Sequence, residues 1–293
     1  MPGRAGGVRR RSQRSGTGRR QSRYCRSQCR PHPVPSGRTP LLITFLILLL
    51  AATLGGASNA LAGGGTFIVF PALLLGGLAS IKANATASLV LMPGGFASAW
   101  VYRTTIMKSS PRFLVLMLTI SLLGATAGSL LLLKTPNSTF SALVPWLLLI
   151  ATSVFTLAPW LRKMATGASG HQSIVGLVIG QFIISVYGGY FGAGMGVLLI
   201  SLYLVTTKLD VHDASGLRMI CASVINLLAV IIFAWRGAID YSFGFPMLIA
   251  GLVGGYVGAI LVKRLDANKA RRAILTYAWA LTAFFFAKTF IKF

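Results

Sequence analysis

The chain has 293 residues, of which 55% are hydrophobic and only 11% charged, against about 25% charged in an ordinary soluble domain, so a water-facing surface cannot be built from it. Its acids are Asp210, Asp213, Asp240 and Asp266, with no Glu, which removes the raw material for the paired carboxylates of most hydrolases. The net charge of +24 would suit a nucleic-acid binder, but eleven of the 28 basic residues lie before residue 40 and most others sit in short clusters between apolar runs. That is the layout of a membrane protein with loops sorted by the positive-inside rule, and no nucleic-acid partner is expected.

Residues 1–40 are rich in Arg, Gly, Ser and Pro. With nothing to bury, such a segment cannot offset its ordering entropy, and a disordered basic tail is expected. Arg9-Arg10-Arg11 invites a twin-arginine signal reading, but the apolar stretch begins far downstream and leads straight into a Gly-rich motif. A tail added ahead of the true start is the other reading. Cys25, Cys29 and Cys221 make no disulfide framework, and Cys25 and Cys29 beside His32 lack a fourth ligand for zinc. No metal site and no cofactor is expected.

A transmembrane helix needs roughly 20 apolar residues. In chain order the uncharged runs are 39–81, 83–102, 113–133, 135–161, 164–207, 219–235, 241–262 and 273–287, the last reaching span length if Lys288 snorkels to the interface. The runs 39–81 and 164–207 are about twice the length of one span. Each holds either two spans or one span and a re-entrant piece, and non-helical backbone at that depth must be buried in protein or line a wet cavity. The expected fold is an all-α polytopic membrane protein of about eight transmembrane helices. Nine follow if 164–207 crosses twice, which also repairs the placement of Lys263, Arg264, Lys269, Arg271 and Arg272.

An offset of 129 residues lays the two long runs on each other. Gly63 meets Gly192, Gly65 meets Gly194, and Asn84-Ala85-Thr86 meets Asp213-Ala214-Ser215. With small gaps, Tyr102-Arg103 meets Trp235-Arg236, Gly124-x-x-x-Gly128 meets Gly254-x-x-x-Gly258, and Lys134 meets Arg264. The order of these matches implies two homologous halves, 41–162 and 163–293, each opening with a broken or re-entrant Gly-rich segment. Paired broken helices are a transporter signature, with the site expected where the halves meet. The Gly-x-x-x-Gly pairs by themselves indicate close helix packing and nothing about substrate.

The first Gly motif runs from Gly55 through Asn59 and Gly63-Gly64-Gly65, the second from Tyr187 through Gly192, Gly194 and Gly196. A glycine cluster between two apolar pieces breaks a helix and exposes unpaired N–H groups at the start of the next, a setting that suits an anion. The plainer reading is tight packing alone. After each motif comes a polar cluster: Asn84, Thr86 and Ser88 in the first half, Asp213 and Ser215 in the second. Asn84 and Asp213 read equally well as helix N-caps. Arg218 lies one turn beyond Ser215, where it pairs with Asp213, meets an anion or snorkels to the interface; an intramembrane cation is a functional candidate by default.

On these residues the sequence resembles the TauE/SafE family of sulfite exporters and sulfur-anion permeases. The resemblance is carried by Gly63-Gly64-Gly65 before an apolar segment with Pro71, and by Ala85-Thr86-x-Ser88. Phe191-Gly192-x-Gly194-x-Gly196 and Gly237-Ala238-Ile239-Asp240 before Gly-x-x-x-Gly complete it. It covers about residues 45–290; where members more usually have a proline after the second glycine motif, Leu199-Ile200-Ser201 stands here. The resemblance implies a multi-pass permease of the inner (plasma) membrane, linked to export of sulfite or organosulfonates.

The function expected is therefore transport of a small anion by alternating access around the two broken segments, with no enzymatic activity. The expected binding residues are Asn59, Gly63, Gly64, Gly65, Asn84, Thr86, Ser88, Gly192, Gly194, Gly196, Asp213, Ser215 and Arg218. The partners are the small anionic substrate and the lipid bilayer; homo-oligomers stay open, and the N-terminal tail is placed in the cytoplasm. A membrane-embedded enzyme on a lipid-linked substrate, or a non-transporting scaffold subunit, are the alternatives.

Overall fold

The computed structural model describes residues 38–108, 110–167, 173–261 and 267–290. The tail expected to be disordered and the Cys25/Cys29/His32 group lie outside them, except that residues 38–40 belong to the first helix. Residues 43–293 form one compact unit; the other, residues 1–42, has only 38–42 described.

All regular structure among the described residues is helical: α1 (Arg38–Ala62), α2 (Thr66–Leu75), α3 (Ser80–Val101), α4 (Arg103–Lys108), α5 (Pro111–Lys134), α6 (Asn137–Gly167), α7 (Ile174–Tyr190), α8 (Met195–Thr206), α9 (Val211–Trp235), α10 (Tyr241–Leu261) and α11 (Ala267–Phe290). In hydrocarbon every backbone polar group needs an internal partner, which a helix supplies along its own length. Within the described residues five segments are long and apolar enough to cross a membrane: Leu42–Ala60, Pro111–Lys134, Asn137–Leu157, Val211–Trp235 and Tyr241–Gly258. Shorter apolar helices are Thr66–Leu75, Ile174–Tyr190, Met195–Thr206 and Leu275–Ala287.

Burial sorts the helices into inner and outer sets. α2, α3 and α8 are buried along most of their length, while Leu46 and Leu50 of α1, Leu123 of α5, Ile150 of α6, Ile183 of α7, Ile249 of α10 and Phe284 of α11 are exposed. An outward surface of Leu, Ile and Phe suits lipid and not water. α9 packs against α3, α5, α7 and α8, which makes it the axis of the bundle.

Without a hydrophobic force between helices in lipid, close packing needs small residues. Gly124 and Gly128 of α5 lie on α7: a methyl group added at Gly124 would sit 2.6 Å from Ser185 Cβ and 2.8 Å from the Phe182 carbonyl, and one at Gly128 would strike the Val186 carbonyl. Gly254 and Gly258 of α10 lie on α1 in the same manner, against the Thr53 carbonyl and, at 2.6 Å, Ala57 Cα. Between α3 and α10, Gly94 and Gly255 meet backbone to backbone.

These contacts leave no room for a side chain. Gly128→Leu and Gly254→Leu are expected to separate α5 from α7 and α10 from α1, at a cost beyond the ~1–3 kcal/mol of ordinary overpacking. Fluorescence-detected size exclusion in mild detergent would show loss of the folded peak. Gly237→Asn is the control: its φ of +64° suits Asn, nothing lies within 4 Å of an added Cβ, and a wild-type profile is expected.

Candidate functional site

Each glycine motif contains a break between two helices, at 63–65 and at 191–194. α1 ends at Ala62 and α2 begins at Thr66; α7 ends at Tyr190 and α8 begins at Met195. Gly63 (φ +74°), Gly192 (φ +77°) and Gly194 (φ +71°) adopt the left-handed backbone that side-chain-bearing residues rarely take. At the first interruption the Gly63 N–H donates to the Asn59 carbonyl at 2.9 Å, and at the second the Gly192 N–H donates to the Tyr187 carbonyl at 3.1 Å. The Tyr187 hydroxyl also donates to the Ala193 carbonyl at 2.7 Å, pinning the second interruption from within. Phe191 packs edge-on to Phe70 of α2, with ring centroids 5.5 Å apart, so the second interruption is seated against the helix that follows the first.

The first interruption and the first turn of α8, just after the second, approach each other closely. A Cβ built on Gly196 would lie 3.3 Å from Gly63 Cα, and one built on Gly63 would lie 3.1 Å from Gly196 Cα. Into this crossing reaches Arg218 of α9. Its Nη1 would be 2.6 Å from a Cβ on Gly196 and 3.1 Å from one on Gly63, and the residue is only 7% exposed. The absent side chains are thus what admits the guanidinium.

Around it is a cavity of about 20 Å³, room for about one water. α9 contributes Arg218, Ala222 and Asn226 at helical four-residue spacing, with Met219 and Ser223 beside them; Asn59, Thr66 and Gly95 line the opposite side. Met195 and Gly196 open α8, and Thr66 opens α2. Several of their first N–H groups are taken up by the glycine carbonyls just before them. The Phe67 N–H donates to the Gly64 carbonyl at 3.2 Å, Ile68 to Gly65 at 3.0 Å, Met195 to Gly192 at 3.3 Å and Val197 to Gly194 at 3.0 Å; each helix start still carries roughly half a positive charge. One guanidinium, two helix starts and four neutral polar side chains line this one small volume.

Of the residues marked by sequence, Asn59, Gly63, Gly192, Gly196 and Arg218 meet at this cavity. The others lie elsewhere. Gly65 backs onto Gly55 and Asn59 Cβ, Gly194 faces Ala151 and Phe67, and the Gly64 N–H points at the Ser58 carbonyl. Asn84 Nδ2 donates to the Tyr190 carbonyl at 3.0 Å, joining α3 to the end of α7, and its Oδ1 is buried without a partner among the described residues. Thr86 Oγ1 accepts the Asp240 N–H at 3.0 Å; Ser88 and Ser215 hydroxyls donate to carbonyls one turn back on their own helices. The N-cap of α9 is Asp210, which accepts the Asp213 N–H at 2.7 Å, and α3 is preceded by Ala79, so neither Asn84 nor Asp213 is the cap. Thr66, Gly95, Ser223 and Asn226 were not marked. The four-residue spacing of Arg218, Ala222 and Asn226 along an otherwise apolar helix was the available signal.

A second buried network lies beside the cavity. Gln181 Nε2 donates to Ser121 Oγ at 2.7 Å and the Tyr203 hydroxyl donates to Gln181 Oε1 at 2.9 Å. The Cys221 thiol belongs to the same group. Through it α5, α7, α8 and α9 are held together around the helix that carries Arg218.

Two sets of variants should therefore separate. Asn84→Ala and Thr86→Val are expected to lower thermal stability in detergent by about 1–3 kcal/mol, the cost of a buried polar group left unpaired, with little change in anion affinity. Gly196→Ala displaces the guanidinium and should weaken anion binding while shifting the melting temperature little. Thermal unfolding with and without added oxyanion measures both.

The family described as Sulfite exporter TauE/SafE matches residues 48–285. A probable membrane transporter protein of Haemophilus influenzae is 26% identical over 243 residues, covering 83% of this chain and 93% of that protein. The probable membrane transporter protein YfcA of Escherichia coli K12 is 26% identical over 238 residues, covering 80% and 85%, and the probable membrane transporter protein ORF9 of a Sinorhizobium species is 25% identical over 222 residues, covering 74% and 82%. With the match spanning both glycine interruptions and the helix that bears Arg218, the chain belongs to the TauE/SafE sulfite exporter family of multi-pass membrane transporters.

Proposed function

We propose that this transporter moves a small sulfur oxyanion, sulfite or a short sulfonate, by alternating access around the crossing of its two glycine interruptions. The observation that carries this is the Arg218 guanidinium lying against the backbone of both Gly63 and Gly196. A buried cation is costly, and its placement at two helix starts gives an anion the strongest field within the bundle.

Internal duplication supports the alternating part. Thr53 and Ala57 of α1 are related to Phe182 and Val186 of α7 by the offset of 129 that pairs Gly63 with Gly192. The partners that pack on them, Gly254 and Gly258 of α10 and Gly124 and Gly128 of α5, are related in nearly the same way. Each half thus lends a glycine-faced helix to the other, and the element order long, short, long recurs in α1–α2–α3 and α7–α8–α9. Counting α1 with α2 and α7 with α8 as one broken segment each, the segments longer than α4 number eight. In this reading the halves rock across their shared glycine contacts and expose the crossing to one face of the inner membrane and then the other, with the basic tail in the cytoplasm. Export down the membrane potential releases about 2.3 kcal/mol per negative charge per 100 mV, which needs no coupling ion.

Sulfite flux into and out of proteoliposomes holding only this protein tests the proposal. Wild type should carry sulfite well above protein-free vesicles. Arg218→Gln should insert normally and lose about tenfold or more, as expected when a charge-assisted contact of ~1.5–3 kcal/mol is removed; Arg218→Lys should retain part of the flux. Wild type silent toward sulfite and small sulfonates, or Arg218→Gln as fast as wild type, would overturn the reading.

A further inference from the structure

The direction of each helix follows from which residues meet along it. Gly254 and Gly258 of α10 lie on Thr53 and Ala57 of α1, and Gly251 and Gly255 of α10 lie on Val90 and Gly94 of α3. Residue numbers rise together in each pair, so α1, α3 and α10 run the same way. Gly124 and Gly128 of α5 lie on Phe182 and Val186 of α7, and Gln181 and Gly188 of α7 lie beside Cys221 and Ile225 of α9. α5, α7 and α9 thus also share a direction. The two sets are opposed, because α3 packs against α9 with one numbering rising as the other falls. Tyr102, just past the end of α3, meets His212 at the start of α9, with ring centroids 5.3 Å apart. Gly95 lies on Ser223, and Thr86 near the start of α3 accepts the N–H of Asp240 beyond the end of α9.

The duplication relates α1 to α7, α3 to α9 and α5 to α10, and each related pair takes one member from each set. We propose that the two halves are inverted relative to each other in the membrane, so that the glycine interruptions are the tips of two helical hairpins entering from opposite faces. The inference rests on the duplication invoked for the proposed function and deepens that reading. In the first hairpin α2 folds back along α1, with Gly55 facing Val69 and Leu48 facing Gly76. In the second α8 folds back along α7, with Gly188 facing Met195 and Gln181 bonded to Tyr203. The tips meet where Gly63 lies against Gly196.

The lengths suit this arrangement. α2 has 10 residues and α8 has 12. At a rise of ~1.5 Å per residue these span about 15 and 18 Å, each close to half of a hydrocarbon core of ~30 Å. The cavity beside Arg218 then lies near mid-membrane, with α2 between it and one face and α8 between it and the other. An anion enters past one short helix and leaves past the other. The lipid-facing surface carries the same inversion. Arg103 lies 5.0 Å from the ring of Trp100 at the end of α3, and Arg236 lies 5.8 Å from the ring of Trp235 at the end of α9. Both tryptophans are exposed, and a tryptophan with a cation suits the headgroup boundary. Since α3 and α9 run in opposite directions, one such anchor stands at each interface.

Single cysteines test the arrangement. Ala79→Cys and Lys208→Cys occupy positions related by the offset of 129, in the turns after α2 and α8; Arg103→Cys and Arg236→Cys follow α3 and α9. All four sites are exposed. Each is made in a chain carrying Cys25→Ser and Cys29→Ser, whose own labelling through Cys221 is subtracted. A membrane-impermeant maleimide is applied to spheroplasts and to inside-out vesicles, with detergent-solubilised protein as the measure of complete labelling. Ala79→Cys and Arg236→Cys should label from one side only, and Lys208→Cys and Arg103→Cys from the other side only. Related positions labelling from the same side, Ala79→Cys with Lys208→Cys or Arg103→Cys with Arg236→Cys, overturn the inversion; either pair alone decides. Sulfite flux through the same variants in proteoliposomes reads the proposed function separately. Opposed labelling without flux overturns sulfite transport and leaves the inversion standing, while flux with related positions on one side does the reverse.

Discussion

Keeping a guanidinium out of water inside an apolar bundle is the constraint on which the rest of this structure turns. Arg218 is 7% exposed, and the effective penalty for such burial is several kcal/mol even after relaxation. Several features of the protein converge on it. Glycines at positions 63 and 196 let the guanidinium approach backbone. Asn59, Ser223 and Asn226 supply dipoles around the same small volume, and the network through Ser121, Gln181 and Tyr203 holds neighbouring helices in place. Arg218 is thereby held at the point where both glycine segments and the middle helix α9 line one small volume, which is the feature on which the proposed site is built.

The second constraint is that lipid gives helices no hydrophobic reason to associate. Glycine answers it twice, in different ways. In α5 and α10 it removes side chains within helices so that carbonyls of α7 and α1 come within contact. At 63, 192 and 194 it supplies left-handed backbone and ends a helix. The first use fixes which helices neighbour each other; the second fixes where two helix starts and a cation can converge.

Much of the architecture was legible in the sequence because hydrophobic length and glycine placement carry it directly. The long apolar runs 39–81 and 164–207 divide at the glycine motifs, and Asn59, Gly63, Gly192, Gly196 and Arg218 carry their polar, glycine or charge signal in the sequence itself. What escaped has a physical cause. Asn84 and Thr86 look like site residues because they are polar and follow the motif, but their bonds go to the Tyr190 carbonyl and the Asp240 N–H. Those partners are more than a hundred residues away in the chain and so invisible to local pattern. Ser223 and Asn226 were passed over because one or two polar groups barely lower the hydropathy of a span; only the helical phase relative to Arg218 distinguishes them. Glycines beside one another also split by fate, since Gly63 reaches the cavity while Gly65 backs onto its own preceding helix.

The most telling feature is an asymmetry. Under the offset that pairs Gly63 with Gly192, the residue related to Arg218 is Leu89, and those related to Gln181 and Tyr203 are Ala52 and Leu74. Leu89 lies against Gly244 of α10, and Leu89, Ala52 and Leu74 belong to or pack against the apolar core and not to the cavity lining. The sequence matches between the two long runs therefore stop short of the charged and polar groups. The glycines that end the helices recur at both interruptions, because turning the chain needs the same left-handed backbone each time. Arg218, Gln181 and Tyr203 occur once, because one buried guanidinium and one buried polar network already demand costly desolvation, and a second set facing the same volume of about 20 Å³ would add that cost again together with like-charge repulsion.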